Sequence, residues 1–243
     1  MIVSTNGGIS DIQLTGPTFE AVQRWVNTDT SCGKLLHRLA VVNDGQAVVV
    51  SGLASCTGFS EMYLYDTLAH SAVPGIPVPR SVLAASLDGS RVYLGGEVPN
   101  PQYTLDVFDS STHAVTDGAV STDVAAVAVS GNASRVIVQN DRVYSKSLSL
   151  TGNLPSGGIA FASRDSSKAF VYRDDGGQPR VVVHDLNGAL PASGIYPTLT
   201  TVNLTSSPGI TGDSLYEITM ASTPDDAVVF VSGSNGIMVL PLQ

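Results

Sequence analysis

Four histidines, two cysteines and one acidic loop are the side chains of this 243-residue sequence whose types could do chemistry beyond packing. A histidine in a cleft serves as general base or metal ligand when carboxylates or other ligands converge on it. His70 and His113 instead share one register, each four residues after an aspartate (Asp66, Asp109), which puts both in a turn at the outer part of a repeating unit. His184 directly precedes a third such aspartate, and His37 stands at the entry to an apolar run, so all four read as structural. Cys32 lies in the polar connector Asn27–Leu36 and Cys56 in a loop of the next unit. The two loops could meet on one face, so one reading is a Cys32–Cys56 disulfide, which would fit an oxidising compartment; the other is two unrelated thiols. Neither cysteine belongs to a C-x-x-C pair and no histidine cluster adjoins them, so no zinc site is expected.

The run Arg173-Asp174-Asp175-Gly176-Gly177-Gln178 is acidic, but it lacks the D-x-[DN]-x-[DN]-G spacing and the distant glutamate of a calcium loop. It reads as a solvated hairpin turn. Asn132-Ala133-Ser134 and Asn203-Leu204-Thr205 match the N-glycosylation pattern, the first of them inside a turn. G-x-S-x-G, G-x-x-x-x-G-K-[ST], G-x-G-x-x-G and H-E-x-x-H are absent, and Trp25 is the only tryptophan, so neither a nucleophile elbow nor a base-stacking or sugar tray is expected. The sequence thus nominates no catalytic, cofactor-binding or metal-ligating residue.

The elements that carry these residues recur. Turns anchored at Asp44, Asp88, Asn132, Asp165 and Asp225, spaced 44, 44, 33 and 60 residues apart, each join an apolar run to a β-rich run. The clearest unit is Arg80–Thr122, which reads as four short strands. In Tyr65-Asp66-Thr67, Phe108-Asp109-Ser110 and His184-Asp185-Leu186 an aspartate follows the third strand, where it can cap the next turn; the third unit has Ser147-Leu148-Ser149-Leu150 instead. Met1–Leu14 parallels Val229–Leu240, both reading as second strand, Asn-Gly turn and third strand, with Phe19–Val26 as a fourth. Pro191–Asp213 is a long insertion with room for one strand and a surface loop, as a cover or an interface.

Four-stranded units of about 40–45 residues are what a β-propeller repeats. Leu87-Asp88-Gly89-Ser90-Arg91-Val92-Tyr93-Leu94 followed by Val107-Phe108-Asp109 resembles the YVTN-type propeller repeat, whose usual form is an S-P-D-G turn, an R-V-Y-V-T-N strand and a V-I-D-T strand. The likeness is specific mainly over residues 38–118. It implies a fold, since the family spans bacterial surface and secreted proteins, lactonase-like enzymes and simple binding scaffolds. The expectation is an all-β single propeller domain over 1–243 of about six blades, five or seven being the alternatives. The blades would run about 1–32 (partial), 38–79, 80–122, 123–156, 157–207 and 214–243 (partial). Such a chain starts and stops inside blades, so it is expected either to close by compensating terminal strands or to be a segment of a longer protein. On a propeller, His37 would be the histidine nearest the channel mouth.

Composition narrows the partners. A net charge of −9 with scattered lysines and arginines disfavours nucleic acid and anionic membrane surfaces. Charged residues are 14% against roughly 25% in an average soluble domain, which suits short strands and tight turns over long surface helices. No apolar run reaches the roughly 20 residues of a membrane span, and the first residues do not form a signal peptide. The leading expectation is a non-catalytic binding or assembly platform of an extracytoplasmic bacterial propeller protein, located outside the cell, in the periplasm or on the cell surface. Its partner would be a protein or a cell-surface component, or another copy joined through the incomplete terminal blades. The alternatives are a lactonase-like hydrolase or lyase at the channel mouth, and a structural subunit of a surface layer or filament. The first-strand segments offer Glu217 as their sole carboxylate, which weighs against the enzyme.

Overall fold

Short β-rich runs separated by turn residues have one cheap solution, the antiparallel meander, and this chain repeats it from end to end. The computed structural model describes residues 2–5, 8–15, 18–26, 35–42, 45, 47–53, 60–74, 82–95, 105–118, 124, 126–205, 219–233 and 236–242. The chain forms two compact units, Met1–Ala126 and Val127–Gln243.

In the first unit, β1 (Ile2–Thr5), β2 (Gly8–Thr15) and β3 (Thr18–Val26) make a three-stranded sheet in chain order. Two four-stranded sheets follow. One holds β4 (Leu35–Val42), β5 (Ala47–Leu53), β6 (Ser60–Asp66) and β7 (Ser71–Pro74). The other holds β8 (Val82–Ala85), β9 (Arg91–Gly95), β10 (Leu105–Asp109) and β11 (Ala114–Gly118).

The second unit opens with β12 (Val127–Val129), β13 (Arg135–Val138), β14 (Arg142–Ser145) and β15 (Leu150–Asn153). It continues with β16 (Ile159–Ala162), β17 (Lys168–Asp174), β18 (Pro179–Asp185) and β19 (Thr198–Asn203). The three-stranded sheet β20 (Thr219–Ser222), β21 (Val228–Gly233) and β22 (Gly236–Pro241) completes it. Every pairing between neighbours in a sheet is antiparallel.

Within each unit the sheets pack face to face in chain order. Ile9 of β2 meets Tyr63 and Tyr65 of β6. Ala40, Val42 and Met62 meet Val92, Leu94 and Phe108. In the second unit Ile137 and Val143 pack on Ala169 and Val171, while Phe170 and Tyr172 pack on Val229 and Val231. The middle of β17 is therefore buried on both faces, which explains why Ala169–Tyr172 is a continuous apolar run where a half-exposed strand would alternate. β21 does alternate: Val229 and Val231 are fully buried and Phe230 is 38% exposed.

The expectation of about six blades is corrected here. Among the described residues the complete four-stranded blades number four, because residues 2–26 and 219–242 each fold into three strands. The parallel drawn between the N-terminal and C-terminal stretches holds as the antiparallel pairs β1–β2 and β21–β22, with β3 in the place of the fourth strand and β20 in that of the first. The long insertion supplies β19, and its preceding residues cover the neighbouring sheet: Tyr196 is buried, its N–H donates to the Asn153 carbonyl (2.9 Å) and its hydroxyl to Thr151 Oγ1 (3.0 Å). A Cβ added to Gly152 would lie 2.7 Å from the Tyr196 ring, so β15 needs glycine for this approach.

Candidate functional site

The residues that recur most regularly sit where the first strand of a blade turns into the second. Each turn must reverse the chain in four residues, and each solves the problem with a hydroxyl and a carboxylate or amide two residues later. Ser163 Oγ donates to Asp165 Oδ1 (2.7 Å) and accepts the Lys168 N–H (2.9 Å), while Asp165 Oδ1 also accepts the Ser167 N–H (2.8 Å). Ser86 with Asp88, Ser130 with Asn132 and Thr223 with Asp225 repeat all three bonds, at Arg91, Arg135 and Val228 respectively. Ser86, Ser130 and Ser163 are buried. The residue after each anchor takes left-handed φ: Gly89 (65°), Ala133 (58°), Ser166 (70°) and Asp226 (53°). The anchor of the second sheet, Asp44, lies outside the described residues.

In the second unit the turns also touch one another. Ser166 Oγ donates to Asn132 Oδ1 (2.6 Å) and the Gly131 N–H to the Arg164 carbonyl (3.0 Å), joining the β12–β15 and β16–β19 sheets. The Asp226 carboxyl accepts from the Ser222 hydroxyl and is buried. Burial pushes the Asp165 carboxyl up, but the Ser167 N–H and the Ser163 and Ser167 hydroxyls outweigh it and hold the group down at about 2. Asp226 goes the other way, raised by burial and by the charge of Asp165. Asn132 stands where the other turns have aspartate and uses only its oxygen, so Asn132→Asp is expected to change stability by about 0.5 kcal/mol or less in urea unfolding.

The residues singled out for chemistry are dispersed. His70 and His113 occupy exposed, left-handed turn positions (φ 51° and 54°) after β6 and β10. His70 Nδ1 lies 3.2 Å from the Tyr65 hydroxyl, and His113 stacks on Phe108 with ring centroids 6.1 Å apart. His184 is buried, its Nδ1 donates to the Tyr196 carbonyl (3.2 Å), and burial lowers its pKa. The side chain of His37, and Cys32, Cys56 and Glu217, lie outside the described residues. Arg173–Gln178 joins β17 to β18, with Asp174 Oδ1 accepting the Gly177 N–H (3.0 Å) and Asp175 paired with Arg180. Asp66, Asp109 and Asp185 each accept two backbone N–H groups of the turn that follows; these keep the Asp66 carboxyl below the ordinary value, and the Ser111 hydroxyl, with the Thr112 and Ser111 N–H groups, does so for Asp109. Among the described residues no three His, Cys, Asp or Glu side chains gather as metal ligands. The hydroxyls of Ser86, Ser130 and Ser163 and the role of Asp226 were not foreseen, although Ser-x-[Asp/Asn]-x-Ser recurs in three of the turns.

The first unit carries a different feature beside its Ser86–Arg91 turn. An open groove of about 450 Å³ runs between the inner strands β4 and β8, lined by Leu39, Val41, Leu83, Ala85, Ser86 and Leu87; among the described residues of its wall none is ionisable. Val41 and Leu87 are 42% and 64% exposed at its rim.

The sequence matches no protein-family model and no curated protein. Solved structures are similar in fold. The Dos1 propeller aligns with a TM-score of 0.72 at 14% identity, over 99% of this chain and 64% of that one. An oligogalacturonate lyase from Vibrio parahaemolyticus gives 0.67 at 12%, over 98% and 73%. KlAtg21, solved in complex with a coiled coil of AgAtg16, gives 0.66 at 12%, over 99% and 77%. The chain spans less than two-thirds of the Dos1 chain. These identities show the fold alone, and that fold is a β-propeller. Among the described residues no helix is long and apolar enough to cross a membrane.

Proposed function

We propose that the chain is a non-catalytic binding platform, a single propeller domain of an extracytoplasmic bacterial protein that docks a protein partner. The observation that carries this reading is the groove between β4 and β8: it is open, lined mainly by aliphatic side chains and rimmed by exposed Val41 and Leu87, so it suits the apolar side chains of a peptide, and the described residues of its wall include no ionisable group. The turn carboxylates support the same reading, because they are already satisfied by hydroxyls and backbone N–H groups. A propeller neighbour solved with a coiled coil illustrates such docking on this fold. A location outside the cytoplasm belongs to the proposal; a Cys32–Cys56 disulfide, one of the two readings of these cysteines, would fit such an oxidising compartment.

The test is selection of displayed peptides on the intact protein. Peptides with paired apolar or aromatic residues should be enriched, and the Val41→Asp/Leu87→Asp double variant should weaken their binding at least tenfold with an unchanged melting temperature. Binding that is indifferent to the double variant would overturn the groove. A second reading, an enzyme, rests on the similarity to oligogalacturonate lyase structures, one of them a complex with manganese. Release of unsaturated product from oligogalacturonate in the presence of manganese would favour it over the platform.

A further inference from the structure

Along β21 and β22 the side chains alternate between two faces of the sheet. Val229, Val231 and Leu240 join the core shared with β16–β19, while Phe230, Ile237 and Val239 point the other way. The last two sheets match residue for residue. Phe170 and Phe230 each stand five residues after a turn anchor, Asp165 or Asp225. Val183 is paired with Phe170 as Val239 is with Phe230, and Val181 with Tyr172 as Ile237 is with Ser232. In the β16–β19 sheet, Phe170, Val181 and Val183 are at most 2% exposed, because the next sheet covers them. Their counterparts Phe230, Ile237 and Val239 are 38%, 69% and 59% exposed.

A sheet face that meets water ordinarily carries polar or charged side chains. Beside its three large apolar residues this face carries Thr219, Ala221 and Ser232, and among its described residues none is ionisable. It has the make-up of a contact between stacked sheets, in the register that the second unit already uses for one. The chain carries a net charge of −9, so two copies repel unless they meet through an uncharged surface. Among the described sheet faces of the second unit, this one alone presents such a group to solvent, which makes it complementary to itself about a two-fold axis.

We propose that the outward face of the β20–β22 sheet is the interface of a two-fold dimer, stacking on the same face of a second copy much as its inner face stacks on β16–β19. The site is separate from the groove between β4 and β8. A face of three strands is smaller than a standard interface of roughly 800 Å² per partner, so association in the micromolar range is expected. Added salt should tighten it, because screening relieves the repulsion between acidic copies.

Sedimentation equilibrium of the intact protein across a concentration series tests this. Wild type should pass from monomer to dimer. The Phe230→Asp/Val239→Asp variant should weaken association at least about a hundredfold, since it places unpaired carboxylates in the contact, while keeping the melting temperature of the dilute protein. The Val41→Asp/Leu87→Asp groove variant should dimerise as wild type does. In a mixture of isotope-labelled and unlabelled wild type, the Phe230 ring of one copy should show nuclear Overhauser contacts to Ile237 or Val239 methyls of the other. A monomer up to the millimolar range, a dimer indifferent to Phe230→Asp/Val239→Asp or loosened by salt, or a dimer without those contacts overturns the proposal.

Discussion

Phe170→Ala lowers the stability of the protein by about 3–5 kcal/mol, read as a shift of the urea midpoint at constant slope. Phe170 is 1% exposed at the centre of β17, directly opposite Phe161 on one side and Val183 on the other. Its ring fills the space between two sheets, against Tyr172, Val181, Val229, Val231 and Leu240. The cavity left by truncation has little means of closing. The opposite face of the same strand is held by Ala169 and Val171 against Ile137 and Val143, so β17 has no freedom to move toward the void without opening a second one. Phe230→Ala is the matched control. That ring is 38% exposed, so its truncation should cost about 1 kcal/mol or less. Equal losses from the two variants would mean that β17 is not the packed centre of its unit.

Ser163→Ala is expected to cost about 1–3 kcal/mol, a large effect for the loss of one oxygen atom. Ser163 is fully buried, and its hydroxyl serves the turn twice, donating to Asp165 and accepting the Lys168 N–H. Alanine leaves that N–H without its acceptor and Asp165 with one donor fewer, so the Asp165 carboxyl should rise from about 2 toward its ordinary 3.8. Because the Asp165 contribution is present above 3.8 and disappears as pH falls through about 2, the gap between wild type and Ser163→Ala should narrow over that interval. Ser130→Ala and Ser86→Ala should cost a similar amount near neutral pH, since each hydroxyl makes the same pair of bonds, but the Ser130 effect should not narrow in acid, because its partner Asn132 does not titrate. A cost that stays constant down to pH 2 would assign the effect to packing and not to the carboxylate.

How much of this could be read from residues alone differs by element. The anchors Asp88, Asn132, Asp165 and Asp225 stand in β-turns between consecutive strands, as their spacing implies, because Asp and Asn accept local backbone N–H groups and so mark turns with little help from the rest of the fold. The third blade shows how the pattern survives a missing residue. It has no aspartate after β14, yet Ser145 Oγ accepts the Ser149 N–H (3.2 Å) and Leu148 takes the left-handed φ (59°) that His70 and His113 take in theirs.

What escaped the sequence depends on tertiary placement. Asp225 and Asp226 are adjacent and chemically identical, and only the turn geometry leaves the first exposed on the Ala227 N–H and buries the second against the Ser222 hydroxyl. The groove rimmed by Val41 and Leu87 joins residues 46 positions apart and has no local signature. Packing of Tyr196 onto β15 likewise turned a polar-looking insertion into part of a core.

The central claim is that within each unit the sheets stack face to face in chain order, with β17 packed on both faces. Methyl and aromatic nuclear Overhauser contacts from two adjacent residues of β17 test it most directly. The Val171 methyls should contact Ile137 and Val143, and the Phe170 ring should contact Val229 and Val231, with no exchange of partners between them. Contacts from Val171 to Val229 or Val231, or from Phe170 to Ile137, would contradict the stacked-blade architecture.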